Sequence, residues 1–169
     1  MKQEEKDSGW FRKIFDENYN YIRNFIYYLS GDTEITNDLT QDVFLLLWED
    51  RNKIRQETIR PFLFTVAKNL YLKHYRKKKI SFNFTNSLIT TGYENESPEF
   101  ILEMKEFDGK LQASIALVPV KTRAIFLMNR MDRMSYNEIA VSLKISTKAV
   151  EKHMSKALKI LREKVDRKL

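Results

Sequence analysis

The residues with the clearest chemical potential lie near the end of the chain, where Lys148, Glu151 and Lys152 are three and four positions apart. This spacing places them on one face of a helix, opposite an apolar stripe that includes Val150 and Met154. Lysine and glutamate side chains so placed can bond the edges of base pairs, and flanking lysines suit phosphates. The chemistry indicated is recognition of a nucleic acid.

Residue types that could carry other chemistry are not grouped in this sequence. His74 and His153 are the only histidines and lack partners at metal-ligand spacing, and cysteine is absent. None of the four glycines belongs to a phosphate-cradling loop, and no Ser/His/Asp set stands out. We therefore predict no catalytic residue, no metal site and no cofactor.

The element that must position the C-terminal lysines is a helix-turn-helix over Ser135–Leu161. Ser135 and Glu138 have the spacing of a capping box, which predicts the start of a short helix. The next few residues allow only a tight turn, after which Ser146 can cap a longer helix. The N-terminal end of that second helix is the part that enters the major groove in such motifs. An ordinary helical hairpin with a solvated face remains the alternative.

Charge is unevenly distributed along the 169 residues, which carry a formal net charge of +7. Every charged residue between Asp32 and Asp50 is acidic, whereas Glu57 is the only acid between Arg51 and Lys79. An excess of positively charged residues indicates a polyanionic partner, either nucleic acid or an anionic membrane. The pattern predicts an acidic face beside a basic one.

The acidic face is expected on a helix over Asn37–Asp50. Its outer positions recur with helical spacing and include one leucine, and they are Asp38, Gln41, Asp42, Leu45 and Glu49. A solvated helix face and a protein-docking surface both fit this pattern.

The basic face is expected on a helix that begins at Pro61 and runs to Lys79, after a basic connector over Arg51–Arg60. One of its stripes alternates rings and charge: Phe64, Lys68, Tyr71 and Tyr75. Basic residues interleaved with aromatic rings suit single-stranded nucleic acid, since their charges follow the phosphate backbone and the rings stack on unpaired nucleobases. The alternative is that the rings belong to the core and the lysines only aid solubility.

The remaining segments complete an all-α organisation in two small helical bundles joined by a polar linker. Helices are predicted over Trp10–Ser30, from Ser97 to Leu117 and over Val120–Met131, with Gly31 and Pro119 as stops. We expect domains at residues 8–79 and 98–169, with a linker at 80–97. The charged N-terminus is unlike a signal peptide, and no apolar run is long enough for a membrane span. These features predict a soluble, cytoplasmic protein without stable membrane insertion.

Four segments in this order resemble the extracytoplasmic-function (ECF) sigma factors of bacterial RNA polymerase, within the sigma-70 family. They are FIYYLSGD (25–32), DLTQDVFLLLW (38–48), RPFLFTVAKNLYLKHYRKK (60–78) and SYNEIAVSLKISTKAVEKHMSKALKILRE (135–163). The resemblance covers nearly the whole chain and looks closest to the iron-transport-regulator type common in Bacteroidetes.

The resemblance implies a function and a role for each surface. The protein would bind core RNA polymerase, direct initiation at promoter DNA and be held by a membrane-anchored anti-sigma factor, without enzymatic activity of its own. The acidic face would dock on the polymerase. Melted minus-ten DNA would be read by the minus-ten set: Arg55, Arg60, Lys68, Asn69, Lys73, Arg76 and Lys77. Duplex minus-thirty-five DNA would be read by the recognition set: Lys144, Ser146, Thr147, Lys148, Glu151, Lys152 and Lys156.

One position departs from the family pattern, which usually has glycine where Lys144 stands. A left-handed turn costs a non-glycine residue roughly 1 kcal/mol, so the sequence leaves another turn geometry open at this point.

A stand-alone helix-turn-helix regulator that dimerises on duplex DNA is the alternative function. A membrane-binding or nucleic-acid-packaging protein driven only by charge is a third.

Overall fold

In a computed structural model of the protein, residues 2–78 and 109–166 are described, and every regular element in those ranges is a helix. The N-terminal half consists of α1 (Lys2–Ser30), α2 (Thr33–Glu49), a 3-10 turn (Gln56–Thr58) and α3 (Ile59–Lys78). The C-terminal half consists of α4 (described over 109–116), α5 (Val120–Asp132), α6 (Tyr136–Leu143) and α7 (Thr147–Asp166). The predicted all-α fold class is confirmed. The predicted linker and the helix start at Ser97 lie outside the described residues.

Helices α1, α2 and α3 pack against one another as the first bundle. Gly31 ends α1 in the left-handed region, with φ of 68°. Asp32 then caps α2, because its side-chain Oδ1 accepts a 3.0 Å hydrogen bond from the Ile35 amide. These two residues turn the chain so that α2 folds back on α1. Helix α1 begins well before the predicted Trp10, and α2 begins four residues before the predicted Asn37.

The C-terminal half follows the predicted helix-turn-helix. Ser135 and Glu138 form the capping box: the Ser135 amide donates to Glu138 Oε2 at 2.7 Å, and the Glu138 amide donates to Ser135 Oγ at 3.2 Å. Lys144 ends α6 in the left-handed region, with φ of 54° and ψ of 45°. Ser146 Oγ then accepts from the Ala149 amide at 3.1 Å and starts α7. The turn therefore keeps the left-handed geometry in spite of its lysine.

The two bundles do not stand apart, because α5 packs on α1 and both α5 and α6 pack on α3. Buried side chains from both halves form one continuous apolar cluster, which runs from Ile14 and Phe25 to Ile139 and Met154. Sequence patterns predicted the two bundles but not this shared core.

The burial of some apolar side chains differs from what their spacing predicts. Helical spacing places Leu158 in the same apolar stripe of α7 as Val150 and Met154, but it is 37% exposed, and Leu111 and Leu117 are exposed as well. Gln112 is fully buried instead. The helix α4 thus turns a polar side chain inward at the boundary between the two bundles.

Candidate nucleic-acid and protein interfaces

The acidic face on α2 is fully displayed to solvent. All of its members are exposed, and Leu45 is 56% exposed in their midst. The opposite side of α2 is buried in the first bundle, through Leu39, Val43 and Leu47 among others. Thr40 lies there too, and its hydroxyl donates to the Thr36 carbonyl within the helix at 2.6 Å. The face is therefore free to contact another molecule.

Several basic residues of the connector before α3 already have partners within the protein. Arg51 Nε donates to Asp7 Oδ2 at 3.1 Å and its guanidinium lies over the Trp48 ring, 4.2 Å from the centroid. Arg55 is exposed, and its carbonyl accepts a hydrogen bond from Thr58. The connector thus combines fixed arginines with exposed ones.

Arg60 lies in the first turn of α3, which begins two residues before the predicted Pro61, and it is ion-paired with Asp132 at the end of α5. Its guanidinium also lies over the Tyr21 ring, 4.4 Å from the centroid. A residue expected to contact DNA is therefore engaged with the C-terminal half of the same chain.

Helix α3 displays most of its predicted polar set. Asn69, Lys73, Arg76 and Lys77 are exposed, whereas Lys68 is half-buried. Burial lowers the pKa of Lys68, and the positive charges of Lys121 and Arg76 lower it further. A basic strip with an exposed amide remains available for an anionic strand.

The aromatic residues of α3 are mostly directed into the core rather than toward solvent. Phe64 is fully buried, and its ring meets that of Phe25 edge-on at 4.9 Å. Tyr71 is 2% exposed, and burial raises its pKa to about 12. Tyr75 is half-buried. Of the two interpretations left open by the sequence, membership of the core applies to Phe64 and Tyr71, because both side chains are buried in the shared core.

Helix α7 presents its N-terminal end outward, as a recognition helix requires. Lys148, Glu151, Lys152 and Lys156 are exposed there, as are Lys144 and Ser146 in the turn before it. Thr147 is half-buried, and its hydroxyl donates to Asn137 Oδ1 at 3.0 Å. Asn137, which sequence patterns did not single out, thereby ties the start of α7 to α6.

His153 holds α7 against α5 through a 2.8 Å hydrogen bond between its Nδ1 and Thr122 Oγ1. Burial lowers the pKa of His153, and the charges of Lys156, Lys121 and Lys152 lower it further. Its role in the structure is to join helices. Within the described ranges, no three His, Cys, Asp or Glu side chains are grouped so that they could hold a metal ion.

Arg123 is a buried residue that belongs to none of the surfaces predicted from the sequence. It is 4% exposed and donates to backbone carbonyls, with Nη1 to Leu29 at 2.6 Å and Nε to Val118 at 3.1 Å. The available signal was its position directly before the apolar run AIFLM (124–128), where it shares the buried side of the helix with Leu127. None of the helices in the described part of the chain has the length and apolarity to cross a membrane.

Comparison with known proteins identifies the architecture. The family model "Sigma-70 region 2" matches residues 14–80, and "Sigma-70, region 4" matches residues 101–161. Together these ranges span the first bundle and the helix-turn-helix. The chain therefore belongs to the sigma-70 family, whose members are DNA-binding factors of transcription initiation.

Individual relatives define the type of sigma factor. The chain is 24% identical over 136 residues to the ECF RNA polymerase sigma factor SigM of Bacillus subtilis, covering 79% of this chain and 82% of SigM. It is 25% identical over 151 residues to the ferric citrate uptake sigma factor FecI of Escherichia coli, covering 88% and 86%. The protein is thus a sigma factor of the ECF type.

Solved structures share the fold. A chain from the complex of the sigma factor RpoE with the anti-sigma factor NepR, from Bartonella quintana, matches with a TM-score of 0.73. The match covers 92% of this chain and 96% of that one at 16% identity. The structure of CnrH in complex with the cytosolic domain of CnrY matches with a TM-score of 0.65 at 18% identity.

Proposed function

We propose that this sigma factor binds core RNA polymerase through the acidic face and reads a promoter with its two halves separately. The N-terminal half would contact melted minus-ten DNA, and the helix-turn-helix would contact duplex minus-thirty-five DNA. Domains at residues 8–79 and 98–169 with a linker at 80–97 fit this division. The observation that carries the proposal is the exposure of the whole acidic face on a helix whose other side is buried.

The acidic face suits a basic protein surface. The carboxylates of Asp38, Asp42 and Glu49 lie before and after Leu45 along the same face, so a partner would meet an apolar contact flanked by negative charge. Interfaces with an apolar centre and a polar rim are common in protein complexes. Charge complementarity at the rim would steer association.

The minus-ten contact would depend on the positive charges of α3 and on the side-chain amide of Asn69, rather than on stacking by the aromatic rings of that helix. Lys73, Arg76 and Lys77 lie exposed along α3 and suit consecutive phosphates, and Asn69 suits the pairing edge of a base. Residues 54–60 lead into α3 and form its first two positions, so they would shape the pocket for a flipped base together with Asn69.

The minus-thirty-five contact would be made by the N-terminal end of α7. Lys148, Glu151 and Lys152 are exposed on the first two turns, which is the part of a recognition helix that reaches base edges. Lys144 and Lys156 flank them and suit phosphates, which position the helix. This arrangement supports reading of a duplex by the C-terminal half.

An anti-sigma factor is a further proposed partner, since the similar RpoE chain was solved in complex with one. Chemistry would belong to the polymerase, so we propose that the protein itself is not an enzyme. Its place of action would be the cytoplasm, where the polymerase works.

Binding to core polymerase tests the proposal directly. The Asp38→Asn/Asp42→Asn variant should lose affinity for purified core polymerase and fail to support transcription from a promoter library. The matched control is Asp16→Asn/Glu17→Gln, which neutralises two exposed acids on α1 and should change neither result. Unaltered core binding by the α2 variant would contradict the docking surface.

A further inference from the structure

Tyr21 on α1 is an aromatic residue that belongs to none of the surfaces described above. It is 47% exposed, and no other aromatic side chain is exposed in the part of the chain that the structure describes. Its neighbours point inward: Tyr19 is half-buried, with its ring 4.9 Å from that of Phe15, and Ile22 is fully buried. Packing in the core therefore does not account for a large ring at position 21.

The Tyr21 ring lies beside Arg60, a member of the minus-ten set. The Arg60 guanidinium is 4.4 Å from the centroid of the ring, and the packing of α1 on α3 holds the two side chains together. The Arg60 side chain is itself 42% exposed, whereas the Asp132 side chain that pairs with it is 3% exposed. Asp132 therefore does not separate the guanidinium from solvent, and a ring and a cation are accessible side by side.

A ring beside a guanidinium suits one nucleotide of a single strand. The ring can stack on an unpaired nucleobase, and the guanidinium can bond a phosphate of the same strand. The rings of α3 are poorly placed for stacking, because Phe64 and Tyr71 are buried and Tyr75 is half-buried. An accessible ring for the strand is therefore found on α1 rather than on α3.

We propose that Tyr21 stacks on an unpaired nucleobase of the melted minus-ten strand while Arg60 bonds an adjacent phosphate. The inference rests on the proposed function and deepens it, because it adds a residue outside α3 to the minus-ten contact. Every nucleobase has a face that can stack, so Tyr21 contributes affinity to all sequences alike, and discrimination between bases stays with Asn69. The competing interpretation is that Tyr21 only positions Arg60, through the attraction between a ring and a cation.

Salt dependence distinguishes a stacking ring from a ring that only positions a cation. Each lost phosphate contact reduces the slope of log affinity against log salt by roughly 0.7 for a single strand. Stacking releases no counterion, so its removal lowers affinity equally at every salt concentration. Tyr21→Leu removes the ring and Tyr21→Phe keeps it. Lys73→Ala removes one exposed cation of the minus-ten set and is the reference for the slope.

Fluorescence anisotropy of a labelled single-stranded DNA oligonucleotide of mixed sequence measures binding to the full chain, alone and with core polymerase. Tyr21→Leu should weaken binding on the order of tenfold with an unchanged slope, as expected for stacking on one nucleobase. Tyr21→Phe should bind as the unchanged chain does. Asn20→Ala, the matched control at an exposed neighbouring position on α1, should change neither affinity nor slope.

A photochemical probe locates the stacking ring without any substitution in the protein. Oligonucleotides that carry 5-iododeoxyuridine at one position each are irradiated in complex with the full chain, because this nucleobase couples preferentially to an aromatic ring stacked on it. Mass spectrometry then identifies the modified residue. Tyr21 should be the main site of attachment for at least one position, and the half-buried Tyr19 should stay unmodified.

Four results would overturn the inference. They are unchanged affinity in Tyr21→Leu, a loss of affinity with a reduced slope as in Lys73→Ala, attachment of the probe only at other residues, and no oligonucleotide binding by the unchanged chain in either form. Binding of Tyr21→Leu to core polymerase is measured separately and should equal that of the unchanged chain. Failure of the stacking contact is thus distinguishable from failure of the docking surface, which the Asp38→Asn/Asp42→Asn variant tests.

Discussion

Arg123 and Leu29 are 94 positions apart, and the guanidinium of the first donates to the backbone carbonyl of the second at 2.6 Å. Leu29 belongs to the last turn of α1, where carbonyls have no partner within the helix. The same guanidinium also bonds the carbonyls of Ala116 and Val118. One buried side chain thus satisfies backbone groups from both halves of the protein.

Arg123→Lys should destabilise the protein, because an ammonium cannot reproduce the fork of donors that reaches several carbonyls. We expect a loss of about 2–3 kcal/mol in the free energy of unfolding, as for other buried hydrogen bonds to charged groups. Denaturant unfolding of the full chain measures it. Arg130→Lys is the control on the same helix, since Arg130 is exposed, and it should stay within about 0.5 kcal/mol. Equal losses in the two variants would refute the role assigned to Arg123.

Lys144→Gly should stabilise the protein by about 0.5–1 kcal/mol. Relief of the left-handed conformation outweighs the extra entropy that glycine brings to the unfolded chain. The free energy of unfolding in urea reports the change. Lys159→Gly is the contrasting control, because it places glycine within α7 and should cost about 1 kcal/mol. A loss of stability in Lys144→Gly would show that the lysine is not strained.

Lys152→Ala should weaken binding to the upstream duplex element and leave binding to core polymerase intact. The side chain is exposed on the second turn of α7, far along the chain from the acidic face. Electrophoretic mobility of holoenzyme on promoter DNA and a core-binding assay measure the two effects. Lys13→Ala, an exposed lysine on α1, is the control and should affect neither. Parallel loss of both activities would contradict the division between the halves.

Asn69→Ala should relax discrimination at one melted base, because an alanine cannot hydrogen-bond a pairing edge. Open-complex formation on templates that vary each minus-ten base in turn gives the readout. Lys73→Ala serves for comparison and should reduce affinity for every template alike, since phosphate contacts carry no sequence information. An unchanged base preference in Asn69→Ala would remove this residue from the reading site.

The stability of the protein should fall as the pH is lowered through the range where histidine titrates. An unfolded histidine takes up its proton near pH 6.5, whereas burial and the nearby lysines lower the pKa of His153 in the folded chain. The unfolded state therefore binds more protons as the pH falls, and the free energy of unfolding decreases. Urea unfolding at about pH 7.5 and about pH 5.5 tests this. His153→Gln should show a smaller difference between the two, and an equal difference would exclude His153 as the source.

Local signals in the sequence were sufficient for most helix boundaries. Gly31 and the pair Ser135 with Glu138 act through neighbouring backbone groups, so their effect can be predicted from spacing alone. The acidic face was also predictable, since helical periodicity determines which residues share a side. The starts of α1 and α2 were missed because an extra turn at the N-terminus of a helix leaves a weaker apolar pattern, and the cap formed by Asp32 was not recognised.

Contacts between distant segments were not predictable in the same way. Whether Phe64 and Tyr71 stack on bases or fill a core depends on what packs against α3, and helical spacing is identical in both cases. The pairing of Arg60 with Asp132 depends on how the two bundles meet, which no local pattern encodes. These contacts therefore became visible only in the structure.

The carbonyls of Tyr27 and Leu29 accept side-chain donors from the C-terminal half at the very end of α1. Carbonyls in the last turn of a helix are readily hydrated, so water is the partner that these two donors displace on folding. The C-terminal half therefore covers the end of α1 without leaving these carbonyls unpaired.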